Sequence, residues 1–519
     1  VNRFLLRGGI VLDGSSPRGR REDVLIDSGR IAAIGSGIDA TGATSLDADG
    51  CWVTPGFVDA HSHADSAAVL GQAMELRALG GVTTEVVGQD GLGLSYLNRR
   101  SAEPMREILF PIAGELPRAD FTDVAGYLAW VDQAAYSRVA TLIPHGTVRA
   151  AVLGRSLAPA TTSARAAMNA LIRQGMEQGA CGISTGLSYP PAHAADVDEL
   201  AEVFGGLPSG TPYVTHLRSY GDALDEGIAE AIEITRRSGL DLHLTHFHVS
   251  GPGREGTAAG YLEILAASAP EATWDSYPYL SGCTFLTALL PTWIQELPSA
   301  DIPPVLAERG SEVARQLDAE GPGPTVAVDW DVLLIAGLAG TRIATWELRP
   351  LGALAAEQGL SCGEVVTEVL SATAGRACVL VPQGHLENVR AIAQGRGHMV
   401  GSDGIFGSGA PHPRIANTFF RFLSWAKDGL LELFPGQLIQ RMTSRTAARY
   451  GLPVGVLAPG APADVLVIDP DRLEAGDEHT VRPSRALQYS FLAGERCVWD
   501  GHWVAPQLPG LALRKESPR

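Results

Sequence analysis

The sequence predicts an α/β protein: a (β/α)8 TIM-like barrel with a small β-sandwich domain formed from both chain termini. Two observations point there. Apolar, β-rich runs alternate with longer helical patterns through the middle of the chain, the signature of βα units and a parallel sheet. The two ends, in contrast, read as short strands separated by turns. A length of 519 residues, 45% hydrophobic and 19% charged, fits a folded chain with one large and one smaller domain.

At the first end, Phe4 to Val11 is followed by a turn at Asp13-Gly14-Ser15-Ser16, then by Asp23 to Asp27 and Arg30 to Gly35. Near the other end, Gly460 to Pro470 reads as turn, strand and stop, and Ala493 to Trp499 as another turn and strand. The shared pattern assigns residues 1–54 and 455–519 to one discontinuous domain and leaves 55–454 for the barrel. Eight runs supply the barrel strands: Val53 to His61, Val82 to Val87, Val139 to Pro144, Gly182 to Thr185, Tyr213 to Leu217, Leu242 to Phe247, Thr273 to Tyr279, and Met399 to Asp403. Helical patterns follow several of them, most clearly Asp222 to Ser238, where Ala223, Leu224, Ile228, Ala231, Ile232 and Ile234 recur at helical spacing. A long insert separates the seventh run from the eighth, with Pro-rich connections at Pro303-Pro304 and Pro322 to Pro324; a lid is expected at about 283–339.

A formal net charge of −18 would repel phosphate backbones and anionic membranes, so nucleic acid and membrane partners are not expected. The opening residues hold only a short apolar stretch, and no apolar run reaches the roughly 18 residues of a membrane span, so the expected location is cytoplasmic, without an anchor. Cys51, Cys181, Cys283, Cys362, Cys378 and Cys497 are scattered with no CxxC pair, which argues against a disulfide framework or a thiolate zinc site. A small-molecule substrate is the expected partner, with homo-oligomerisation left open.

The chemistry lies at the ends of the runs. His61-Ser62-His63 places two imidazoles at i and i+2, on the same face of a strand. Other runs end in Gln89-Asp90, in His216, in His246 with His248 beyond, and in Ser402-Asp403. Strand C-termini are where barrel enzymes build their sites, and four histidines with two carboxylates suit zinc or a similar divalent ion, one or two per chain.

These motifs resemble the amidohydrolase superfamily and, within it, the D-aminoacylase (N-acyl-D-amino-acid deacylase) family. The resemblance runs over nearly the whole chain. It rests on Gly56 to His63, Gly81-Val82-Thr83-Thr84, Ser184 to Pro191, Tyr277-Pro278-Tyr279, Gly401-Ser402-Asp403-Gly404, His412-Pro413-Arg414, Met442-Thr443-Ser444 and Pro462-Ala463-Asp464. It implies that His61 and His63 hold one ion and His216 and His246 a second, with Asp403 over the first. The family usually has Cys where this chain has Asp90. A carboxylate can bridge two ions, and the carboxylated lysine used elsewhere in the superfamily has no counterpart, because the chain's lysines are Lys427 and Lys515. The other reading of Asp90 is a loop cap, with a single ion on His216 and His246.

The resemblance further implies that Arg414, past the flexible stretch Gly404 to Gly409, holds a substrate carboxylate, a task suited to a planar guanidinium. Tyr189 and Tyr279 would line the pocket, with Cys283 near it. His248 stands where the family commonly has a lysine, and His145 is expected to be structural. The implied activity is metal-dependent hydrolysis of the amide of N-acyl amino acids, with substrates of D configuration and with Asp403 moving a proton from water to the leaving amine. Two alternatives stand beside it: hydrolysis of a cyclic or dipeptide-like amide at the same centre, and a silent binding protein.

Overall fold

The computed structural model describes residues 3–295, 297–322, 326, 328–407, 412–504 and 506–515. Pro324, residues 408 and 409 of the stretch after Asp403, and the extreme ends of the terminal domain lie outside the described residues.

The middle of the chain is α/β with parallel sheets. Its strands are β1 (Phe57–Asp59), β2 (Val82–Val87), β3 (Arg138–Thr141, continued by Ile143–Pro144), β4 (Ile183–Gly186), β5 (Pro212–His216), β6 (Asp241–Leu244), β7 (Thr273–Ser276) and β8 (His398–Val400). Each pairs in parallel with the next in chain order. Hydrogen bonds also link the ends of β8 and β1: Ala60 N donates to Val400 O (3.2 Å) and Asp403 N to His61 O (2.9 Å). All six residues of β2 are buried, as expected for a parallel strand covered on both faces. The helix expected over Asp222–Ser238 spans Leu224–Ser238, buries Leu224, Ile228, Ala231 and Ile234, and ends on Gly239 in the left-handed conformation.

Behind the strand mouths sits a saturated charged cluster. Arg77 pairs with Asp59 of β1 and with Glu85 of β2 (2.8 Å), and donates to Ser402 Oγ and Ile415 O (both 3.0 Å). Ser402, just past β8, donates its N–H to Asp59 Oδ1 (2.8 Å). These bonds tie β1, β2 and the chain after β8 together.

Both chain ends meet in one nine-stranded sheet. They join where Trp52–Pro55 pairs antiparallel with Val465–Ile468. Alternation serves two cores there: Val465 and Val467 pack with Phe4, Leu6, Ile26 and Phe491, while Leu466 and Ile468 pack with Phe57, Phe419 and Phe420. The insert between β7 and β8 carries its own antiparallel sheet, Ser281–Phe285, Cys378–Pro382 and Leu334–Ala336 in that order. Helices Ile302–Glu320 and Cys362–Thr373 bury Leu306, Val313, Leu317, Val365 and Val369 in a separate core. None of the six cysteines is in a disulfide. Among the described residues no helix is long and apolar enough to cross a membrane.

Candidate metal centre and active site

The C-terminal mouths of the parallel strands bring the predicted residues together. Asp59 Oδ1 accepts from His61 N (3.1 Å), fixing the backbone as it leaves β1. Gly401 permits the close approach of β8: a Cβ there would lie 2.5 Å from Asp275 Oδ1 and 2.8 Å from His61 Cβ. Asp90, His246 and Asp403 all adopt left-handed backbone conformations (φ 55°, 31° and 50°), which non-glycine residues hold only where their surroundings impose it.

Two buried groups of donors result, His61, His63, Asp90 and Asp403 in one and Asp90, His216 and His246 in the other, with Asp90 common to both. Asp90 Oδ2 lies 3.7 Å from His61 Nε2, 3.5 Å from His63 Nε2 and 3.8 Å from His216 Nδ1; Asp90 Oδ1 lies 3.7 Å from His246 Nε2. Asp403 Oδ1 lies 3.6 Å from His61 Nε2 and 3.3 Å from His63 Nε2. Two ligands each about 2.1 Å from a tetrahedral ion stand roughly 3.4 Å apart, whereas a direct hydrogen bond would bring them to about 2.9 Å. Both ring nitrogens of His61 are buried without a hydrogen-bond partner. Around His61 and His63 the spacing, donor chemistry and orphaned imidazole fit a divalent cation; in the second group the donor chemistry fits, while His216 Nδ1 and His246 Nε2 stand at hydrogen-bond distance, 2.8 Å.

One orienting residue escaped the sequence reading. Asp275, at the third position of β7, faces His61 Nδ1 (3.6 Å), His243 Nε2 (3.0 Å) and the backbone N–H of His246 (2.9 Å). Burial works against its charge, but His61 and His243 outweigh that and hold it below the usual carboxylate range. A carboxylate behind a metal-facing imidazole sets its orientation and basicity. The signal was an acidic residue inside the apolar run from Thr273.

The donors open onto a cavity with about 690 Å³ of empty space, its open mouth included. Arg414, at the start of helix Arg414–Lys427, is fully buried; its Nη2 bonds Asp403 Oδ2 (2.9 Å) and donates to Cys283 O (3.2 Å). Burial opposes ionisation of Asp403, and Arg414 together with His63 and His61 overrides it, so the carboxyl sits below its usual range. Nε and Nη1 of Arg414 have no hydrogen-bond partner. The Arg414 guanidinium lies 4.8 Å from the centre of the Tyr277 ring.

Tyr189, His248 and Cys283 line this cavity. Tyr189 leans on His216 at 4.7 Å between ring centres. His248 donates from Nδ1 to His246 O (2.7 Å) and stacks on Tyr220 at 4.3 Å. Burial, then the neighbouring His246, pull its pKa down to about 3, so it is neutral. The Cys283 thiol is held well above its ordinary range, by its contact with Cys378 and then by burial. Tyr279 stands elsewhere than expected: it lies on Arg421 (4.5 Å) and against His412 (5.1 Å), and borders a smaller side cavity. Tyr277, two residues earlier, is on the main cavity wall. Tyr220, also unread in the sequence, packs against His216 and His246 at 5.1 Å each. His145 lies against Phe204 with neither nitrogen paired.

Known proteins resemble this chain over nearly its whole length. Residues 45–495 match the amidohydrolase family model Amidohydro_3. The chain is 31% identical to the D-aminoacylase of Alcaligenes xylosoxydans xylosoxydans, over 99% of this chain and 98% of the relative. It is 30% identical to the N-acyl-D-aspartate deacylase of the same organism, over 98% and 94%. The structure of N-acyl-D-glutamate deacylase from Bordetella bronchiseptica, complexed with zinc and a phosphonate mimic of the tetrahedral intermediate, superposes with a TM-score of 0.78 at 27% identity, covering 99% of each chain. The chain belongs to the amidohydrolase family.

Proposed function

We propose that this chain is a metal-dependent amidohydrolase that cleaves the amide of N-acyl-D-amino acids, giving a carboxylate and a free amino acid. The observation that carries this reading is the imidazole–carboxylate cluster at the cavity wall with Arg414 buried directly behind it, bonded to Asp403 and with Nε and Nη1 unpaired. The D configuration rests on the relatives, which are named for D-amino-acid substrates.

In this reading residues 55–454 form a closed (β/α)8 barrel, and residues 1–54 with 455–519 a β-sandwich. The strand-by-strand parallel pairing, with the β8-to-β1 bonds, supports the first, and the sheet shared by both chain ends supports the second. The insert from about residue 283 covers the cavity as a lid, through Gly282, Cys283, Phe285 and Val381. His61 and His63 would hold one zinc ion, His216 and His246 a second, and Asp90 would bridge them.

Zinc, when bound, polarises the amide carbonyl and acidifies water. The rest falls to the side chains. Arg414 keeps Asp403 ionised, so Asp403 accepts a proton from water as the oxygen adds to the carbonyl carbon. It then returns that proton to the amine nitrogen as the C–N bond breaks. The free edge of Arg414 anchors the substrate carboxylate, which holds the amide at the cluster. The test is amine release from matched N-acetyl-D- and N-acetyl-L-amino acids by zinc-loaded protein. Hydrolysis of the D series alone is expected; hydrolysis of neither, in protein that holds metal, contradicts the reading.

A further inference from the structure

A second cavity, with about 850 Å³ of empty space, lies beyond the first. The two share Phe285, and short segments of chain contribute to both: Ile112 faces the first cavity and Pro111 the second, Tyr189 the first and Pro190 the second. The partition is therefore one residue thick, and Phe285, 6% exposed, stands in it.

The strand Ser281–Phe285 gives this arrangement a direction. At its middle, Cys283 O accepts from Arg414; at its far end is Phe285. A substrate with its carboxylate on Arg414 and its amide carbonyl at the imidazoles must send its acyl group onward, away from Arg414. Tyr189, which touches both His216 and Phe285, marks that side. The second cavity is walled by Ile108, Leu157, Ile294, Leu297 and Ile302. Its charged groups are already engaged: Arg155 pairs with Glu107 (2.6 Å), and Arg376 lies over the Phe110 ring. Such a wall favours a hydrocarbon chain over a second anion.

Building on the deacylase reading, we propose that the second cavity is the acyl-chain site, and that the substrates carry acyl groups long enough to pass Phe285, well beyond acetyl. Each methylene moved from water onto an apolar wall is worth a factor of about four in binding.

The experiment measures D-leucine release from N-acetyl-, N-hexanoyl- and N-decanoyl-D-leucine by the zinc-loaded enzyme and by two variants that fill the second cavity, Leu157→Trp and Leu297→Trp. In the wild type kcat/KM should climb at least about 10-fold from acetyl to decanoyl. Each variant should lose that climb while keeping its acetyl rate and its melting temperature. A flat or falling series in the wild type, or a climb that survives in both folded variants, overturns the acyl-site proposal. Continued hydrolysis of the acetyl substrate would then leave the deacylase reading standing, whereas silence toward every member of the series overturns both.

Discussion

Two charged clusters are centred two residues apart, one on the last residue of β1 and one just past it, and they are built on opposite rules. Around Asp59 the hydrogen-bond donors and acceptors are matched: Arg77 meets Asp59 and Glu85, Ser402 completes the carboxylate's shell, and the remaining guanidinium donors find Ser402 Oγ and Ile415 O. Around His61 they are not. Both His61 nitrogens and two nitrogens of Arg414 lack partners, and the carboxylates stand 3.3–3.8 Å from the imidazoles. Burying an unmade hydrogen bond costs about 1–3 kcal/mol, so a fold keeps such a cluster only where something else completes it. The matched cluster holds strands; in the proposed reading the unmatched one is completed by metal and substrate.

Breaking each cluster should give a different phenotype. Asp403→Asn removes the proposed proton carrier and should lower kcat by roughly 10²–10⁴ in protein that still folds and takes up zinc; near-normal turnover would remove Asp403 from that role. Arg77→Met, in the matched cluster, leaves Asp59 and Glu85 buried without a counter-charge and should cost about 3–5 kcal/mol in urea unfolding. A variant that unfolds at the wild-type midpoint would contradict a structural role for Arg77. Arg414→Ala should raise KM by about 100-fold or more for substrates with a free carboxylate, and much less for their amides, because a charge-assisted bidentate contact is lost. Equal losses on both would show that Arg414 acts only through Asp403.

Subtler changes sharpen the comparison. Asp275→Asn loosens His61 without deleting a ligand and should weaken zinc affinity by about 10–100-fold, read by competition with a chromophoric chelator. His145 offers a third case, buried and unpaired but facing no carboxylate. Burial, then Arg149, lower its pKa to about 3. The unfolded chain takes up this proton near pH 6.5 and the folded chain does not, so His145 contributes full stability above that pH and loses it as pH falls toward 3. His145→Phe should flatten the acid side of the stability profile by up to about 1.4 kcal/mol per pH unit. An unchanged slope would place the titration elsewhere.

The parallel strands were legible because they are apolar runs with polar ends, and the ligand candidates because they occupy those ends. What was hidden depends on contacts far apart in sequence. Cys378–Pro382 returns to pair with Ser281–Phe285, so the insert's sheet closes well past the expected boundary near residue 339. No local pattern announces that pairing. Asp275 is one acidic residue inside an apolar run, and its meaning appears only when β7 sets it behind His61. Tyr277 and Tyr279 sit two residues apart on one short segment, where local spacing does not tell them apart, and they pack on different partners, Arg414 and Arg421.

The most direct test of the unmatched cluster as a metal centre is to titrate metal-stripped protein with zinc, following bound metal per chain and N-acyl-D-amino acid hydrolysis together. The account predicts saturable uptake of one to two ions with activity appearing as the cluster fills, and loss of both in His61→Ala/His63→Ala. Protein that binds no zinc, or that hydrolyses equally well in excess chelator, would contradict it.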